Sequence, residues 1–123
     1  MDEAKFITLD NCLTILIYTD RSKSTNHMEL FTFYGGNYSS YIDYNGKKRN
    51  IKEGSAHLLE HYVCENTVSG DLLDNLRKYN VLSCNAGTSA FNTSYFFNTV
   101  CNFYECLDTF LDGIYNVSFT NEK

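Results

Sequence analysis

Apolar and polar residues follow strand-like spacing over the first third of the chain. Residues 5–9 and 12–18 read as short β segments joined by Asp10-Asn11, a turn-favouring pair. A polar stretch over residues 19–26 leads to residues 27–34, rich in β-branched and aromatic types and closed by Gly35-Gly36. Residues 38–49 predict a hairpin around Asn45-Gly46. The period then becomes helical. One helix is expected over residues 55–65 with Ser55 as N-cap after Gly54, and a second over residues 69–79 with Ser69 as cap. Leu72, Leu73, Leu76 and Tyr79 form the apolar stripe of the second helix. Strand character returns at residues 81–86 and 91–100, separated by a bend containing Gly87. A last helix follows, in which Phe103, Cys106, Leu107, Phe110, Leu111 and Ile114 recur at helical spacing. Asn102 can cap it, with Glu105 three residues on as in a capping box. The pattern is α+β: an antiparallel sheet with helices packed on one face.

Composition narrows this picture. A chain of 123 residues, 43% hydrophobic and 20% charged, is expected to fold as one domain with no room for a second core. Proline is absent, so turns rest on Gly, Asn and Asp. The net charge of −5 argues against a nucleic-acid partner, because neutralising phosphates needs clustered Lys and Arg. The one basic cluster, Lys47-Lys48-Arg49, flanks the expected turn and reads as solvated. No apolar run approaches the roughly 20 residues of a membrane span, and acidic residues stand where a secretory signal would carry basic ones. Five cysteines without a CxxC pair are expected to be reduced thiols, mostly in the core, and a cytoplasmic location follows.

The candidate chemistry lies in Gly54-Ser55-Ala56-His57-Leu58-Leu59-Glu60-His61-Tyr62-Val63-Cys64. At about 100° per residue, positions 57, 60, 61 and 64 share one helix face, and Leu58, Leu59, Tyr62 and Val63 are expected to pack on the other. Side chains four apart start about 6 Å from each other, so the imidazoles of His57 and His61 can reach one metal ion. Zinc accepts neutral imidazole nitrogens at about 2.0–2.1 Å. Glu60, beside the metal without ligating it, can take a proton from water that the metal has acidified. His-x-x-Glu-His inverts the common zinc-peptidase order and is the inverzincin signature. His27, at the start of a strand, reads as structural.

The stretch Gly-Ser-Ala-His-Leu-Leu-Glu-His at 54–61 resembles the metal-binding motif of the insulinase/pitrilysin family of zinc metallopeptidases, which includes the mitochondrial processing peptidases. Asn85-Ala86-Gly87-Thr88-Ser89, then Thr93 and Tyr95, resembles that family's Asn-Ala-x-Thr-Ser and Thr-x-Tyr segments, and the tail from Phe119 to Lys123 looks like the entry to its next helix. The resemblance implies the first half of a processing-peptidase-like domain. It implies one zinc ion held by His57 and His61, Glu60 as general base, and Asn85 with Ala86 on an edge strand that pairs with an extended peptide. It also implies a third, glutamate ligand beyond Lys123, so that this chain is a partial, inactive N-terminal portion that needs the rest of the domain or a second homologous domain. Two alternatives stay open. One is a non-catalytic peptide-binding or assembly module of the same fold, prone to self-association. The other is a small metalloenzyme such as S-ribosylhomocysteine lyase, in which Cys84, Cys101 or Cys106 would complete the site.

Overall fold

The computed structural model describes residues 3–120; the last three residues of the tail resemblance lie outside them. A first hairpin pairs β1 (Glu3–Thr8) with β2 (Thr14–Thr19), Phe6 opposite Leu16. Strand β3 (Asn26–Thr32) is followed by a small hairpin of β4 (Ser40–Ile42) and β5 (Lys48–Asn50). Helices α1 (Ser55–Glu65) and α2 (Leu72–Arg77), strands β6 (Ser83–Thr88) and β7 (Thr93–Thr99), and helix α3 (Phe103–Tyr115) complete the order. The main sheet is antiparallel in the order β3-β7-β6, with β7 central. Thr93, Tyr95, Phe97 and Thr99 of β7 point into the core. There Phe97 meets Leu72 and Leu76 of α2 and Cys106 and Phe110 of α3. The α+β class and the helices on one sheet face are as the sequence predicts.

Several local expectations are corrected. Ser55 does not cap α1: Gly54 does, in the left-handed region at φ 82°, with its carbonyl accepting from Leu58 N at 2.9 Å. Ser69 does not cap α2, because Gly70 turns the chain and Asp71 takes that place, its Oδ1 accepting from Asp74 N at 2.9 Å. No capping box forms on α3. Asn102 is the N-cap as expected, its carbonyl accepting from Cys106 N at 2.9 Å, but it is left-handed and its Nδ2 donates to Tyr79 O, so the side chain caps nothing. Gly87 lies within β6 opposite Ser94; the bend comes later, where Ser89 N donates to Asn92 O at 2.8 Å.

The face of α1 is also turned in part from the expected one. Ala56, Glu60 and Cys64 are buried, whereas Leu58 is 71% exposed and Leu59 is exposed too. The inward residues of β6, which α1 covers, are the small Cys84, Ala86 and Thr88. Two bulky leucines would hold the helix off that surface, whereas Ala56 and Cys64 let it approach.

On the outer sheet face His27 sits between two acceptors. Its Nδ1 meets Asn98 Oδ1 at 2.7 Å, and its Nε2 meets Glu29 Oε2 at 3.1 Å. Asn98 Nδ2 donates to Ser83 Oγ at 2.7 Å on the other side of the amide. The protonated ring can donate to both acceptors, and the Asn98 hydrogen bond, aided by Glu29, raises the His27 pKa against a smaller effect of burial. Stability from a raised pKa is full below the unfolded value and is lost as pH rises through the folded one. Urea titrations of wild type and His27→Gln should differ most below pH 6.5 and converge as pH rises through the raised folded-state value. The gap should be small, since the imidazole is half exposed.

Candidate metal centre

Helix α1 delivers His57, Glu60 and His61 to one place. Their ligand atoms all lie within 4.8 Å of one another, and among the described residues they are the group of three or more His, Cys, Asp or Glu side chains that could hold a metal. The Nε2 atoms of His57 and His61 face each other at 2.9 Å, with ring centres 4.7 Å apart. Two ligands of one tetrahedral zinc at about 2.0–2.1 Å sit roughly 3.3 Å apart. A few tenths of an ångström separate the two arrangements, so both imidazoles fit one ion with a small adjustment of χ angles. His61 Nδ1 is 3.9 Å from Glu65 Oε1, both side chains exposed, too long and too open for a hydrogen bond that would orient the ring.

Glu60 differs from the histidines in its surroundings. It is buried, and its Oε2 accepts from Thr88 Oγ1 at 2.6 Å. That bond explains how a carboxylate is tolerated between Ala56 and Cys64 on the packed face of α1. Cys64, one turn along, has its thiol pushed up to about 12, chiefly by burial and then by the Glu60 charge, and behaves as an inert core group. Burial likewise pushes the Tyr95 phenol up to about 12.

The site opens on a groove of about 580 Å³. One wall is the entry of α1 with Glu53, Gly54, His57 and Glu60; the other is the end of β6 and its turn, residues 86–90, with Gly36 and Asn37 closing one side. Gly36 N donates to Ser89 O and Asn37 N to Ala90 O, both at 2.8 Å, which docks this segment on the turn. Gly35 makes the docking possible: a Cβ there would stand 2.5–2.6 Å from backbone atoms of Ser89, Phe91 and Asn92.

Among the described residues strand β6 pairs with β7 alone, so Asn85 and Ala86 stand at a sheet edge that runs into the groove. Asn85 is exposed, and its Oδ1 accepts from Ala86 N at 2.9 Å, the donor an incoming peptide would otherwise meet. The three cysteines considered as ligands do not join the cluster. Cys106 is fully buried in the core, Cys84 Sγ faces Leu73 O at 3.8 Å, and Cys101 is exposed beyond the far end of β7. Thr88 has a part in the site that sequence reading left unassigned; strand alternation, which puts it on the same inward face as Cys84 and Ala86, carried the signal.

No family model and no curated protein matches this sequence. Solved structures do match. A protein from Alicyclobacillus acidocaldarius described as an M16-like peptidase superposes with a TM-score of 0.87 at 22% identity, covering 98% of this chain. A protease from Helicobacter pylori superposes with a TM-score of 0.78 at 20% identity over the same share. The chain spans 28% of the length of each. At these identities what is shared is the fold: this chain has the α+β fold of part of an M16-like peptidase.

Proposed function

We propose that the full-length protein is a zinc-dependent endopeptidase and that this chain contributes two metal ligands, His57 and His61, and the general base, Glu60. The observation that carries the proposal is the pair of Nε2 atoms facing each other at 2.9 Å beside a buried carboxylate with one tethered oxygen. Bound zinc supplies Lewis acidity, polarising a peptide carbonyl and making water a stronger acid. Glu60 takes the proton from the attacking water through its untethered oxygen and can return it to the leaving amine. The open edge of β6 at Asn85 and Ala86 holds an extended peptide by backbone hydrogen bonds, once Asn85 Oδ1 releases the Ala86 N–H. Two imidazoles leave a zinc site incomplete; in this reading the glutamate that the family resemblance implies completes it, since among the described residues no further His, Cys, Asp or Glu groups with these three. A cytoplasmic location belongs to the same reading, with all five cysteines present as free thiols.

Metal analysis of the isolated chain tests the ligand assignment. Equilibrium dialysis should show zinc uptake by wild type with affinity at least tenfold weaker in His57→Ala and in His61→Ala, since each variant loses one of two protein ligands. Equal zinc content in all three would sink the site.

A second reading, a non-catalytic assembly module, draws on the first hairpin. Phe6, Leu16 and Tyr18 are 73%, 56% and 60% exposed on a two-stranded hairpin, an element that needs a further strand or a packed face to be stable. Light scattering after size exclusion separates the readings: this one requires a stable oligomer that Phe6→Ser dissociates.

A further inference from the structure

Glu60 has two carboxylate oxygens, and the structure treats them differently. Oε2 accepts from Thr88 Oγ1 at 2.6 Å. Among the described residues no side-chain oxygen or nitrogen is both sealed from solvent and without a partner, so Oε1 keeps an opening. Glu60 also helps line the groove, which is the opening at hand. The donor is firmly held. Thr88 is the last residue of β6 and pairs with Thr93, whose own hydroxyl donates to Tyr34 O at 2.8 Å, and β-branching limits the Thr88 hydroxyl to few rotamers.

We infer that Thr88 is a positioning residue that holds the Glu60 carboxylate by Oε2, leaving Oε1 toward the groove as the proton acceptor. The inference rests on the reading of Glu60 as general base and deepens it. A hydroxyl has one proton to give, and here it is committed to the carboxylate, so the orientation is set before substrate arrives. Without the tether the carboxylate can swing toward the imidazole nitrogens, which lie within 4.8 Å, and become a ligand instead of a base. The same strand that offers its edge to a peptide thereby fixes the base, so placing the peptide and aiming Oε1 are coupled through β6.

The test combines a stability cycle on the 123-residue chain with kinetics on the zinc-loaded full-length protein. In urea unfolding, Thr88→Val should lower the folding equilibrium constant about tenfold more when Glu60 is present than in a Glu60→Ala background, because the lost bond serves a buried charge. In hydrolysis of a model peptide, Thr88→Val should lower kcat about 10- to 100-fold per folded molecule with KM unchanged, and Thr88→Ser, which keeps the hydroxyl, should recover to within about threefold. A cycle with coupling below twofold overturns the inference. So does an unchanged kcat beside a coupled cycle, or a Ser variant as impaired as Val. A zinc-loaded wild type that hydrolyses no peptide sinks instead the base reading on which the inference rests, a result distinct from any of these.

Discussion

Glu60→Gln in the zinc-loaded full-length protein is expected to lower kcat for peptide hydrolysis by about 10²–10⁴-fold, the usual contribution of a general base, while zinc content stays at the wild-type level. Gln keeps the volume of Glu and an oxygen that can still accept from Thr88 Oγ1, so the packed face of α1 with Ala56 and Cys64 survives. What it loses is the capacity to take a proton. The imidazoles of His57 and His61 are exposed on the flank of the helix and do not depend on the Glu60 charge for their placement. The two readouts therefore separate: a fall in both zinc and turnover would assign Glu60 to the ligand set, and a loss below tenfold would remove the base from the mechanism.

The second large effect lies in the core. Phe97 is fully buried on the central strand, with its ring 5.8 Å from Phe103 and edge-on to Phe110 at 5.7 Å. Truncation to Ala removes a whole ring from between the sheet and α3 and is expected to cost about 3–5 kcal/mol. That is a large part of the stability of a small domain, roughly 5–15 kcal/mol. Urea denaturation of Phe97→Ala and Phe97→Leu measures it; Leu should retain much of the lost stability by refilling most of the volume. A loss below about 1 kcal/mol for Ala would contradict the placement of Phe97 at the centre of the core.

How far the sequence carried depended on what kind of signal each feature leaves. Period and turn chemistry located every strand and helix, because β7 and α3 bury one face each and say so in their spacing. Boundaries were weaker. Ser55 and Ser69 have the composition of a cap, yet Gly54 and Asp71 take those places; Asn102 does stand at the N-cap of α3, but through its carbonyl and not through a capping box. Of the residues expected to pack on α1, Tyr62 and Val63 do, but Leu58 and Leu59 lie outward for a tertiary reason: the small residues of β6 admit Ala56, Cys64 and a tethered Glu60. His57 and His61 were legible because i, i+4 spacing on a helix fixes proximity without any long-range information. The partnership of Glu60 with Thr88, 28 positions away, was not, because it depends on which face α1 turns to β6.

The central claim is that His57 and His61 together hold one zinc ion. X-ray absorption at the zinc edge, on the chain loaded with one equivalent, counts the imidazoles bound. Wild type should show two histidine nitrogens at about 2.0–2.1 Å and His57→Ala or His61→Ala one. A wild-type spectrum with one imidazole or none, or one that neither substitution changes, would contradict it.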